Sequence, residues 1–288
     1  MNTEANQQMT AEITAALAGG PPVLVATVIA VPDAAVVAVG AKMIVRADGA
    51  AVGSLDGGAL AEAVRREAPE AFRRHGVETV HLSAEGARLT RGGSRGKPGY
   101  QVMLEVHERP AMLLIIGGGH IGKALAVIGS LCGFSVEVID DRPEYANAER
   151  FPEADRITRG RFDEVLADYP VDANSYVVCV TRGHKHDEMS LRAVAGSPAA
   201  YVGMIGSKRR VAAVLKHLVE EGADPEAIAR VHTPIGLDIG AETPEEIAVA
   251  IMGEIIMARR GGTGAPMKGA RKRGHGVSPE ERLPSGAS

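Results

Sequence analysis

Tryptophan is absent from this 288-residue chain, and phenylalanine and tyrosine contribute only four and five residues. Binders of single-stranded nucleic acid stack bases on aromatic rings, and such platforms are scarce here. A net charge of −4 likewise lacks the footprint of a general polyanion binder. Only two cysteines occur, Cys132 and Cys179, both in apolar segments. They offer no disulfide framework, and the expected setting is a reducing one, the cytoplasm. The longest apolar stretch, 21–40, is broken by Pro32-Asp33 and reads as two short strands around a turn, not as a membrane span. The first twelve residues are polar with no basic segment leading an apolar one, so no secretion signal is read there. What remains is an aliphatic chain, 45% hydrophobic and 24% charged, suited to one large or two modest domains.

The first part, residues 1–108, reads as a small mixed α/β domain. A short helix over 10–19 is expected to end at Gly19-Gly20, followed by a hairpin of 23–31 with 34–39 around Pro32-Asp33 and a strand at 42–46 turned back by Asp48-Gly49. A glycine-rich loop, 53–58, opens a helix over 59–75, and strands at 77–82 and 101–106 close the unit. Between them, 91–99 (RGGSRGKPG) has no apolar period and reads as a basic loop. From residue 109 to 262 strands alternate with helices, the pattern of a doubly wound parallel sheet. Strands are expected at 111–116, 135–140, 155–158, 175–181 and 201–205, with helices at 120–132, 161–168, 187–196, 207–221 and 243–259. The last helix has Thr243 as N-cap, Pro244 at its first position, Glu246 completing a capping box, and Gly261-Gly262 as its stop. The segment 263–288 is basic and without apolar period, a tail expected to be disordered. The fold class expected is therefore α/β, a small mixed domain followed by a Rossmann-type domain.

The strand ending at Ile116 runs into Gly117-Gly118-Gly119-His120-Ile121-Gly122 and then a helix-forming run, which is G-x-G-x-x-G in strand–turn–helix context. Gly117 suits the tight turn, Gly119 a close approach of backbone to pyrophosphate, and Gly122 close helix–strand packing, with the helix N-terminus facing the phosphates. Asp140 ends the second strand where an acid bonds an adenosine ribose, which favours NAD or another adenine nucleotide. Asp141 and Arg142 beside it complicate that choice. The alternative is a glycine-rich turn that binds nothing.

Two more loops lie at carboxyl ends of strands. In Thr181-Arg182-Gly183-His184-Lys185-His186-Asp187, the residues His184, His186 and Asp187 could ligate a metal but lack a fourth partner at defined spacing. Contact with a substrate or cofactor through Thr181 and His184 is one alternative, and Asp187 as N-cap of the next helix is another. In Gly206-Ser207-Lys208-Arg209-Arg210, three cations in the first turn of a helix oppose its dipole, so an anion held by Ser207, Lys208 and Arg209 is inferred against an ordinary solvated face.

Beyond these site motifs, the segments 138–155 (VIDDRPEYANAERFPEAD), 181–194 (TRGHKHDEMSLRAV), 201–210 (YVGMIGSKRR) and 231–255 (VHTPIGLDIGAETPEEIAVAIMGEI) resemble the xanthine dehydrogenase accessory proteins, the XdhC/CoxI family. Residues 41–60 (AKMIVRADGAAVGSLDGGAL) resemble that family's N-terminal domain. The resemblance implies a maturation factor rather than an enzyme. It would bind the molybdenum cofactor, protect it while a terminal sulfur is added, and help insert it into an apo-molybdenum hydroxylase of the xanthine or carbon monoxide dehydrogenase type. The implied partners are that hydroxylase, a cysteine desulfurase or other sulfur donor, and a second copy in a homodimer. Many family members carry Gly-Gly-Cys-Val-Glu where this chain has Gly57-Gly58-Ala59-Leu60-Ala61, so no thiolate can bind cofactor there. The 53–58 loop still offers backbone N–H groups at Gly57 and Gly58, and a cleft between it and the carboxyl edge of the sheet is the expected carrier site. Two rival readings are an NAD-dependent oxidoreductase using His184, His186 or His232 for proton transfer, and a nucleotide-binding scaffold for the target enzyme.

Overall fold

The computed structural model describes residues 3–33, 35–55, 58–89 and 99–268. Helix α1 (Thr3–Leu17) leads into a five-stranded antiparallel sheet of β1 (Val23–Ala30), β2 (Lys42–Arg46), β3 (Ala51–Gly53), β4 (Val77–Leu82) and β5 (Tyr100–His107), in spatial order β3-β2-β1-β5-β4. Alternation along β1 sends Leu24, Ala26 and Val28 toward α2 (Gly58–Arg74), while Val23 and Val25 pack with Met9 and Ala16 of α1 on the other face.

Two expectations for this part are corrected. Helix α1 begins seven residues before the expected start, because the polar segment ahead of Thr10 is rich in good helix formers and places Met9 against the sheet. The hairpin partner expected at 34–39 is not a strand (Ala34 lies outside the described residues). Both edges of β1 are already taken, by β2 with Thr27 opposite Lys42 and by β5 with Thr27 opposite Met103. Gly40, at φ 87°, then turns the chain back into β2.

The second sheet is parallel, built from β6 (Met112–Ile116), β7 (Ser135–Asp140), β8 (Arg156–Arg159), β9 (Ser175–Cys179) and β10 (Tyr201–Met204) in order β10-β9-β6-β7-β8. That order places a topological switch between β6 and β9, where such sheets open a ligand crevice at their carboxyl ends. Helices α3 (His120–Leu131) and α8 (Pro244–Arg260) cover one face. Helices α4 (Phe162–Ala167), α5 (His184–Val194), α6 (Lys208–Glu220) and α7 (Pro225–Ala229) lie toward the other. The short α7 was not expected, although Asp224 as N-cap and Pro225 at its first position announce it. Thr243, Pro244 and Glu246 form the expected capping box of α8, and Gly261 closes that helix at φ 64°. The segment 269–288, most of the expected tail, lies outside the described residues, as do residues 91–98 of the basic loop read at 91–99. No helix among the described residues is long and apolar enough to cross a membrane.

The two sheets meet at the amino edge of the parallel one. Arg260, at the end of α8, donates to the carbonyls of Arg74 and His75 at the end of α2, and His75 Nδ1 lies 2.7 Å from Glu108 Oε1. Arg259 sits over Phe134 and Tyr176, at the amino ends of β7 and β9. The carboxyl end of α2 therefore abuts the amino edge of the parallel sheet.

Candidate functional site

The glycine turn is packed shut at three positions and open at one. Gly117, at φ 116°, runs so close to the next strand that a Cβ would fall 2.6 Å from the Val180 carbonyl oxygen. A Cβ on Gly118 would meet the Tyr145 carbonyl oxygen at 2.1 Å, and one on Gly122 the Gly117 carbonyl oxygen at 2.1 Å. Gly119 differs: nothing lies within 4 Å of its Cβ position. It is the N-cap of α3 in extended conformation, and no side chain caps the helix. The first-turn N–H groups at His120, Ile121 and Gly122 thus face an open cradle with the positive end of the helix dipole behind them.

Asp140 lies where expected, at the end of β7, but its carboxylate is engaged. It is 1% exposed and accepts the Gly118 N–H at 2.8 Å, the Arg142 N–H at 3.0 Å, Arg142 Nε at 2.9 Å and Arg142 Nη2 at 3.0 Å. Burial alone would raise its pKa; the Arg142 side chain, the two N–H groups and the guanidinium charge together hold it below the usual carboxylate range. The Arg142 guanidinium lies flat over Tyr145, 3.6 Å from the ring centroid. Arg150 donates from Nε to the Gly118 carbonyl at 2.8 Å, and Asp141 pairs with Arg182 at 3.0 Å. Tyr145 and Arg150 were not singled out from the sequence, although both stand in the 138–155 segment that carries the family resemblance.

In the loop after β9, Asp187 and His186 are engaged with protein neighbours. Asp187 is not an N-cap; that position belongs to Gly183, and Asp187 lies one turn inside α5 with no exposure. Its carboxylate accepts from the Thr181 hydroxyl and from Arg210 of α6. His186 stands edge-on to Phe162, with ring centroids 5.5 Å apart. His184 begins α5, and its side chain lies outside the described residues. Of the three cations at the start of α6, Arg210 is therefore compensated by Asp187, contrary to expectation, and its backbone N–H is capped by Ser207 Oγ at 3.3 Å. Lys208 and Arg209 are exposed and make no ion pair among the described residues.

Glu254, on α8, was also missed; its signal is a lone acid in an apolar run. It accepts the Tyr201 hydroxyl at 2.6 Å and the Gly236 N–H at 2.7 Å, and lies 3.3 Å from His232 Nδ1. His232 stacks on Tyr201 at 4.3 Å, and burial, then Glu254, push the tyrosine hydroxyl above its usual range. These contacts fix the segment 232–236 along β10.

The cleft expected between the 53–58 loop and the sheet's carboxyl edge involves residues 56 and 57, which lie outside the described residues. Gly58 opens α2. Helix α2 is about 25 Å long, and its other end, at Arg74 and His75, meets Arg260 at the amino edge, opposite the edge that carries the glycine turn. Neither cysteine offers the turn a thiolate. Cys179, the last residue of β9, lies opposite Ile116 just before the turn but is buried with its thiol pushed up to about 12, and Cys132 is exposed at the far end of α3.

Residues 113–255 match the family model described as the XdhC Rossmann domain, and residues 16–83 match that of the XdhC and CoxI family. An uncharacterized protein, YqeB of Escherichia coli K12, is 32% identical over 220 residues, which are 74% of this chain and 38% of that protein. A protein of Bacillus subtilis 168 described as a probable xanthine dehydrogenase subunit is 32% identical over 148 residues, 51% of this chain and 43% of that one. The chain thus spans about two fifths of the length of these curated relatives. A crystal structure described as a xanthine dehydrogenase from Bacillus halodurans aligns with TM-score 0.50 at 22% identity, covering 90% of this chain and 96% of that one. At that identity the likeness concerns the fold.

Proposed function

This chain belongs to the XdhC and CoxI family, and from this we propose that it is an accessory protein that carries the molybdenum cofactor as cargo and assists its maturation and insertion into a molybdenum hydroxylase. The observation that carries the reading is the open cradle at Gly119, in a turn whose other glycines are packed shut. The cargo bears a phosphate, and uncapped N–H groups at the start of a twelve-residue helix are suited to one. Lys208 and Arg209 stand on the same edge two strands away, about 10 Å at the usual strand spacing, within reach of a phosphate or of the negative charge on the cargo. Ser207 and Thr181 are held on that edge by their bonds to Arg210 and Asp187.

A carrier needs donors and shielding rather than acid–base chemistry. His232, one of the histidines of the oxidoreductase reading, is occupied by Glu254 and Tyr201. The hydroxylase, a sulfur donor such as a cysteine desulfurase, and a second copy of this chain are the partners of the proposal. The test is to purify the chain from hosts with and without molybdopterin synthesis and read oxidised pterin by fluorescence. Pterin present only with the synthesising host supports the carrier; no pterin from either host overturns it.

A further inference from the structure

We propose that Arg142 occupies the ribose subsite of this Rossmann domain, so that the turn takes a phosphate-bearing ligand without reading a nucleotide's ribose diol. In dinucleotide-binding folds the acid ending the second strand accepts the ribose hydroxyls. An ionised carboxylate offers about four acceptor positions. Asp140 has four donors on it, two from the Arg142 side chain and two from backbone N–H groups, and it is almost wholly buried. A sugar hydroxyl would find neither an acceptor nor a path to one.

The blockage is built rather than incidental. The guanidinium meets the carboxylate as a fork, with Nε on one oxygen and Nη2 on the other, the strongest neutralising geometry available to it. Its face lies against Tyr145 at 3.6 Å, one ring thickness, so the space between Asp140 and the tyrosine is filled by a flat cation. The Tyr145 carbonyl in turn presses on Gly118, whose N–H is spent on Asp140. The phosphate half of the site is untouched by this arrangement, since Gly119 remains open. NAD therefore does not fit the residues present, whereas a phosphate or pyrophosphate group does. The inference rests on the phosphate reading of the glycine turn given above.

The experiment is calorimetry on the full chain with inorganic pyrophosphate, NAD and NADP. The wild type should bind pyrophosphate, and NAD no more tightly than pyrophosphate. Arg142→Ala should clear the slot between Asp140 and Tyr145 and raise NAD affinity relative to pyrophosphate about tenfold or more, the pyrophosphate arm taking up the loss of a positive charge beside the turn. The double variant with Asp140→Ala should lose that gain. Arg142→Lys, which keeps the charge but cannot fork, should give a smaller gain and guards against a folding defect in the alanine variant. Wild-type protein that binds NAD or NADP tenfold more tightly than pyrophosphate overturns the proposal, as does natively melting Arg142→Ala with no gain. Absence of pyrophosphate binding in both wild type and variant sinks the phosphate reading of the turn and this inference with it. Pyrophosphate binding without an NAD gain sinks only this inference.

Discussion

Arg210 reaches across from the first turn of α6 to the carboxylate of Asp187, which lies inside α5 with no exposure to solvent. The pair joins two helices at the carboxyl edge of the sheet, and the Thr181 hydroxyl completes it from the end of β9. Removing one partner of a buried ion pair leaves an uncompensated charge, so Arg210→Ala should cost about 3–5 kcal/mol of stability. Asp187→Asn, which removes the buried charge as well, should cost less. Chemical denaturation of both variants checks the ordering; equal, small losses would show that the pair contributes little.

Lys208 and Arg209, two residues and one residue before Arg210, should behave oppositely. They oppose the helix dipole and make no ion pair among the described residues, so the double Lys208→Ala, Arg209→Ala variant should melt at or slightly above the wild-type temperature. Its affinity for the phosphate-bearing cargo should fall, by roughly 1.5–3 kcal/mol for each charge-assisted bond lost. Unchanged cargo affinity, or a marked loss of stability without ligand, would remove this helix start from the site.

The contrast among the glycines gives a second pair of variants. Gly122→Ala places a Cβ 2.1 Å from the Gly117 carbonyl oxygen, and should cost at least the ~1–3 kcal/mol of core overpacking. Gly119→Val has room and an extended backbone that valine accepts, so the fold should be untouched while pyrophosphate binding is lost. A destabilised Gly119→Val protein would show that the cradle is smaller than the geometry indicates.

The pH dependence of stability should carry the signature of Asp140. Its pKa is lowered in the folded chain, so the unfolded state binds the proton first as acid is added, and the stabilisation is present above the unfolded value of ~3.9. It is lost as pH falls from there through the lower folded value. Wild-type melting temperature should drop more steeply over that window than that of Asp140→Asn; parallel curves would contradict it.

Much of this architecture was legible in the sequence, for identifiable reasons. The strand–turn–helix around Gly117 and the capping box at Thr243 are local devices, in which the residues that define the element are also those that contact each other. The hairpin at 34–39 was misread because strand alternation says nothing about whether the neighbouring strand has a free edge. Asp187 and Arg210 are 23 residues apart, Gly236 and Glu254 are 18, and no spacing rule links either pair. The position of Asp140 was correct, yet its use depended on where the fork of Arg142 would lie, which only the folded loop decides. The meeting of α2 with α8, through Arg260 and the carbonyls of Arg74 and His75, spans more than 180 residues and is likewise beyond any spacing rule.

Thiol reactivity separates the two cysteines. Burial pushes Cys179 up to about 12, so at neutral pH it is a protonated, inaccessible thiol, whereas Cys132 is exposed. A colorimetric disulfide reagent should label Cys132 alone in the native protein and both cysteines after unfolding. Rapid native labelling of Cys179 would mean that β9 opens at its carboxyl end.

The carrier reading meets its most direct test in the wild type and Gly119→Val purified side by side from a host that makes molybdopterin. The account predicts fluorescent pterin bound to the wild type and lost from the variant, with the two proteins melting at the same temperature. Equal pterin in both, or none in the wild type, would contradict it.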